Sequence, residues 1–137
     1  MMNVTESSLL EIIKADYAKF PEAQTYAIYS PDVYFQDPVY QFRGIKQYQK
    51  MIGFITFWFK NLRLDLHDIS EHMAQEEYLI KTKWTMSWVA PLPWKPRISV
   101  SGWSDLLIDR DRQLIISHRD YWECSKFDVI KQHFRLT

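Results

Sequence analysis

The chain has 137 residues, and 17 Lys+Arg are balanced by 17 Asp+Glu. A zero formal charge argues against a dedicated nucleic-acid binder, whose affinity comes from a basic face neutralising phosphates, and no apolar run approaches the roughly 20 residues of a membrane-spanning helix. The lone Cys124 excludes an internal disulfide and a cysteine-rich zinc site, and suits a reducing, cytoplasmic setting (cytosolic or stromal-type).

This length predicts a single domain spanning residues 1–137. The first residues, Met1 to Ser8, lack the basic start and apolar stretch of a signal peptide. Aromatic content stands out: 6 Trp, 8 Tyr and 8 Phe. Rings that each bury about 150–250 Å² must dominate a core or wall a cavity.

Ser7 or Ser8 is placed to cap a first helix running to about Lys19, with Leu9, Ile12 or Ile13, Tyr17 and Phe20 at helical spacing. Pro21 stops it. A short second helix is expected over residues 22–29, then a turn at Ser30-Pro31-Asp32. Val33, Phe35 and Asp37 alternate as a strand, which Pro38 ends.

After Gly44, the residues Ile45, Tyr48, Ile52, Ile55, Phe59 and Leu62 lay an apolar stripe along a helix of about residues 45–60. Met51, Phe54 and Trp58 form a second stripe, predicting a helix covered on both sides. Gly53 inside it costs about 1 kcal/mol relative to alanine, which suggests close packing there.

The period then changes to two. Leu62, Leu64 and Leu66 open one strand, and Tyr78 to Trp88 form a second with Ile80, Thr82, Trp84 and Met86 on the same face. A proline-rich break over residues 91–96 follows. A third strand carries Ile98, Val100, Gly102, Ser104, Leu106 and Ile108 on one face. Past the polar turn of residues 109–112, the last strand carries Leu114, Ile116, His118, Asp120 and Trp122 on one face. Phe127, Ile130 and Phe134 suggest a short closing helix. Helices gathered on one face of consecutive antiparallel strands define an α+β layer fold.

That path, helix–helix–strand–helix and a four-stranded meander, resembles the nuclear-transport-factor-2-like (SnoaL-like, cystatin-like) cone. Three segments resemble one family more narrowly. They are Tyr34-Phe35-Gln36-Asp37-Pro38 with Phe42-Arg43-Gly44, the run from Trp88 to Ile98, and Ser117-His118-Arg119-Asp120-Tyr121-Trp122. All are similar to domain of unknown function 2358, of cyanobacteria and plant plastids. The resemblance implies a strongly curved antiparallel sheet wrapped around N-terminal helices, with a pocket open at one end. It implies no activity, because this cone hosts isomerases, dehydratases, hydrolases and noncatalytic modules.

Pocketed enzymes of the superfamily often use an acidic residue inside the cone as general base, and Asp37 is the first candidate. Desolvation among rings would raise its pKa and make it a better proton acceptor; the alternative is a turn former before Pro38, or a partner for Arg43. His118 and Asp120, two apart on one strand, project from one face as an acid–base pair or as a satisfied buried pair. Phe35, Tyr48, Trp58, Trp84, Trp88 and Trp122 are candidates to wall a pocket, with plain core as the alternative.

His67, His72, His118 and His133 show no metal-ligand spacing, and no metal site is expected. His67 and His72, five apart in a strand, should face opposite sides. There is no Gly-x-Ser-x-Gly elbow, phosphate loop or dinucleotide fingerprint, so no cofactor is expected. Cys124 reads as a small core residue before it reads as a nucleophile. Trp94 is a contact surface or a lid, and Trp103 lies on the outer sheet face, where two copies would pair as a homodimer. Three functions stay open: a domain binding a small apolar molecule, an acid–base isomerase or dehydratase using Asp37, His118 and Asp120, and a dimeric interaction module with a filled pocket.

Overall fold

The structure is a computed structural model, which describes residues 6–134, with side chains from Leu9 onward. Helix α1 (Glu6–Lys19) is followed by a 3-10 turn (Tyr26–Ile28), β1 (Tyr29–Gln36), β2 (Gln41–Arg43) and α2 (Ile45–Trp58). Then come β3 (Lys60–Met73), β4 (Tyr78–Val89), β5 (Arg97–Asp109), β6 (Leu114–Trp122) and α3 (Lys126–His133). The strands form one six-stranded sheet in the order β2-β1-β6-β5-β4-β3, with β2 and β3 as its edges.

The meander β3 to β6 pairs antiparallel, as alternation predicted, and β1 also pairs antiparallel with the short β2, a strand absent from the sequence expectation. The join between them is parallel: β1 runs alongside β6, with Phe35 opposite His118. The sheet is therefore mixed, not antiparallel throughout, and α2 with four further strands separates the two parallel neighbours in sequence. This places residues from the beginning and the end of the chain side by side.

All three helices cover one sheet face. Leu9 and Ile13 of α1 pack with Ile28, Val33, Tyr78, Ile80, Leu106, Ile108 and Ile115. Tyr48 and Ile52 of α2 meet Phe35, and Val129 of α3 joins Trp84, Trp88, Ile98 and Val100. Helix α3 also closes an open edge. β6 ends opposite Gly102, and the Gln132 side chain donates to the Ser99 carbonyl and accepts from its N–H. Buried main-chain groups need such partners.

Several expectations require correction. Residues 22–29 do not form a helix, because Asp16 accepts from the N–H and hydroxyl of Thr25, and Gln24 donates to the Asp16 carbonyl. Those bonds tie the chain back onto α1, leaving only the 3-10 turn before β1 begins. Ser7 and Ser8 are already helical, since α1 includes Glu6, and residues 1–5 lie outside the described part. The second stripe of α2 is covered only at Met51, which packs against Phe35, Tyr48 and Ile52; Phe54 and Trp58 are 52% and 45% exposed. A Cβ at Gly53 would meet nothing within 4 Å, so no close packing explains that glycine.

Two bulges interrupt alternation. In β6 the register slips between Leu107 and Ile108, pairing Leu107 with Ser117 and Ile108 with Ile115. Ile115, not Leu114 or Ile116, is therefore the core residue, and Ile116 lies beside Leu107, Ser117 and Arg119 on the outer face. In β3 a slip between Leu66 and Asp68 brings His67 to Thr85 and leaves His72 beside Ser70. Both imidazoles share the outer face. A bulge moves one extra residue out of the ladder and changes parity beyond it.

Candidate functional site

Between the helices and the inner sheet face lies a hollow of about 300 Å³. Eleven of its lining side chains are aromatic. They include Phe35 on β1, Tyr48 on α2, Trp84 and Trp88 on β4, and Trp122 on β6. Trp58 does not line it; its ring packs against Phe54 and Phe57 on the exposed side of α2. Val39, Tyr40 and Phe54 line the hollow and are also about half exposed, which locates its mouth beside the β1–β2 turn and α2.

The polar centre sits on β5 and β6. His118 Nε2 lies 2.8 Å from Asp120 Oδ1, and Ser104 donates to the same oxygen at 2.5 Å. Ser104 in turn accepts from Trp84 Nε1 at 2.8 Å. Each step is a consequence of register: Ser104 stands opposite Asp120, and Trp84 opposite Gly102. The His118 ring is buried among Phe35, Tyr48 and Tyr29, with centroids 5.0, 5.8 and 6.4 Å away. Its Nδ1 is buried without a partner.

Asp37 also lines the hollow. Its Oδ1 accepts from the N–H groups of Val39 and Tyr40, and its own N–H donates to the Tyr40 carbonyl. It therefore shapes the turn between β1 and β2. Arg43 does not pair with it; the guanidinium bonds the Asp32 carbonyl and lies over the Tyr34 ring. Burial pushes the Asp37 carboxyl above its ordinary value, against the two turn amides, and the Asp120 charge adds to the rise. Desolvation of this kind disfavours the charged form.

Three contributors were missed from the sequence. Asp16 lines the hollow from α1; a buried carboxylate between Ile13 and Tyr17 on an apolar stripe was the available signal. Ser104 belongs to the inner-face alternation but was not read as polar machinery. Tyr17 bonds Thr82 at 2.8 Å, and burial followed by the Asp120 charge pushes its phenol up to about 12.

Other candidates lie elsewhere. Trp94, 44% exposed, donates Nε1 to the His133 carbonyl and rests near Phe134, so it braces α3. Trp103 stacks on Tyr121 at 5.3 Å on the outer face. Burial and the nearby Asp128 carboxylate push the Cys124 thiol up, the wrong direction for a nucleophile. Among the described residues, no group of three His, Cys, Asp or Glu side chains could hold a metal ion, and no helix is long and apolar enough to cross a membrane.

Solved structures place the architecture in the nuclear-transport-factor-2-like fold. A hypothetical protein with a ketosteroid isomerase-like fold from Catenulispora acidiphila DSM 44928, in complex with trimethylamine, is 13% identical with a TM-score of 0.68, covering 93% of each chain. An LEH-like epoxide hydrolase of M. tuberculosis is also 13% identical, TM-score 0.68, covering 94% of this chain and 91% of its own. An NTF2-like protein of unknown function from Burkholderia pseudomallei K96243 is 12% identical, TM-score 0.70, covering 90% and 95%. Identities this low speak for fold alone.

The sequence goes further. This chain belongs to the family of uncharacterized conserved proteins DUF2358, whose model matches residues 7–118. No curated protein matches it.

Proposed function

We propose that the hollow binds a small, mostly apolar molecule and that His118 and Asp120 meet its polar part. The observation that carries this reading is a ring-lined wall interrupted by one cluster of hydrogen-bonding groups, the composition typical of small-molecule sites. The Catenulispora relative in complex with trimethylamine supports it at the level of fold. Native mass spectrometry of protein purified from its natural host is the test. A reproducible adduct of small-molecule mass that is released on unfolding is expected. Spectra that stay empty in gentle ionisation, together with indole fluorescence unmoved by apolar probes, would overturn the reading.

A second reading, an acid–base isomerase or dehydratase, draws on the His118–Asp120 bond with Ser104 fixing the carboxylate. In it Asp120 orients the imidazole and Asp37 adds a desolvated base. Deuterium uptake at the α-carbon of small aromatic ketones in heavy water, above the buffer rate and lost in Asp120→Asn, would support it. Uptake at the buffer rate would exclude proton abstraction from that class.

Two further elements complete the proposal. The chain acts as one domain in a cytoplasmic or stromal compartment, and two copies pair through the outer face that carries the Trp103–Tyr121 stack. Light scattering at rising concentration reads the mass directly, and a strictly monomeric mass would remove the dimer.

A further inference from the structure

Resting on the reading of the hollow as a binding site, we propose that its ligand is a small organic cation, a protonated amine bearing an apolar or aromatic substituent. The lining includes three carboxylates, Asp16, Asp37 and Asp120, and no lysine or arginine. Asp16 is already compensated, with both oxygens held by Thr25 and the Lys19 ammonium 3.7 Å away.

The other two carboxylates are only half satisfied. The bonds from His118 and Ser104 converge on one oxygen of Asp120, Oδ1. The bonds from Val39 and Tyr40 likewise converge on Oδ1 of Asp37. Among the described residues, Oδ2 of each accepts no hydrogen bond, and neither oxygen is among the buried unpartnered atoms. Both therefore retain accessible surface, in side chains that line the hollow.

Electrostatics select the sign of the guest. The Asp120 charge opposes ionisation of Asp37, Tyr17, Tyr29 and Tyr48, with His118 acting in the opposite sense at Asp37, so its negative field reaches the surrounding wall. In a medium of low polarity such a field is weakly screened. An anionic guest adds to the repulsion and a neutral one leaves it in place, whereas an ammonium group relieves it and donates N–H to the free oxygens. The indole and phenol faces around it contribute cation–π attraction, strongest for tryptophan.

Three probes with one carbon skeleton test the charge: 2-phenylethylammonium, 2-phenylethanol and phenylacetate, each titrated at pH 7 by calorimetry and by the NMR signals of the indole N–H groups. The ammonium is expected to bind at least tenfold tighter than the alcohol, with phenylacetate weakest. Asp120→Asn should bring the ammonium-to-alcohol ratio toward one. Asp37→Asn, whose amide oxygen can keep both turn bonds, should lower the ratio and serves if the first variant fails to fold. Equal binding of ammonium and alcohol, or tighter binding of phenylacetate, would overturn the cation while leaving the binding site in place. Three silent titrations would remove the cation and the binding site together.

Discussion

Gly102 and Trp84 stand opposite one another on β5 and β4, and the indole occupies the space that a side chain at residue 102 would need. A Cβ there would lie 3.1 Å from Trp84 Cη2 and 2.0 Å from the Tyr121 carbonyl oxygen. The second contact is with backbone and cannot be relieved by a rotamer change. Gly102→Ala should therefore destabilise the fold by about 2–4 kcal/mol, as overpacked interiors do. Urea unfolding reads this as a lowered midpoint, and an unchanged midpoint would mean that β5 and β6 separate freely at this row.

Gly53 presents the opposite case. It is helical, exposed and faces open space, so its only effect is the backbone freedom that glycine gives the unfolded chain. Gly53→Ala is expected to stabilise by about 0.5–1 kcal/mol. Thermal unfolding checks the sign.

Ser104 joins the Trp84 indole to the Asp120 carboxylate. Ser104→Ala leaves one buried donor without an acceptor and withdraws one of two donors from Asp120. The expected loss is about 1–3 kcal/mol, larger than for an exposed serine. A change below about 0.5 kcal/mol, the usual size at surface sites, would show that neither bond matters to stability.

Acid titration isolates Asp37. Its carboxyl is raised above 3.8 in the folded state by burial, so the native protein keeps a proton that the unfolded chain has released. The stability it contributes is fully present below 3.8 and is lost as pH rises through the folded value. Asp32, Asp109 and Asp128 are lowered by their hydrogen bonds and act in the opposite sense. Subtracting wild type from Asp37→Asn cancels those three groups. The difference should move in favour of the variant as pH rises from about 3 to 7, measured by urea unfolding at each pH. A flat difference would contradict the desolvation of Asp37.

Tyr17 ionises only at about 12. Ultraviolet titration of the folded protein should therefore be indistinguishable below pH 11 (about one unit short of that value) between wild type and Tyr17→Phe. The variant also leaves the buried Thr82 hydroxyl without its partner, at about 1 kcal/mol.

The long elements were legible because their signal is local. Alternation over residues 78–88 and 98–108 is unbroken, and the inner-face residues named from it are buried or line the hollow. What alternation cannot register is an event in the partner strand. The slip between Leu107 and Ile108 follows from how β6 meets β5, and it moved Ile116 to the outer face. Parity in the sequence groups His118 and Asp120 with Leu114 and Ile116, whereas in the structure Ile116 faces the other way. Similarly, the parallel contact of β1 with β6 joins segments too far apart in sequence for any periodicity to report. The hydrogen bonds of Asp16 to Thr25, which replaced a helix with a 3-10 turn, were invisible for the same reason.

The irregularity at Ile116 also governs the orientation of the polar centre. Because Ile116 stands out of the ladder, Ile115 and His118 both face the helices although they differ in parity, and deleting Ile116 would bring Ile115 directly before Ser117 in unbroken alternation, each keeping its present face. Were Ile116 taken into the ladder opposite Leu107 instead, with Ile115 held opposite Ile108, His118 and Asp120 would turn to the outer face and Arg119 would enter the apolar interior. One residue left out of the pairing, with the composition unchanged, thus separates a hollow lined by His118 and Asp120 from one lined by Arg119.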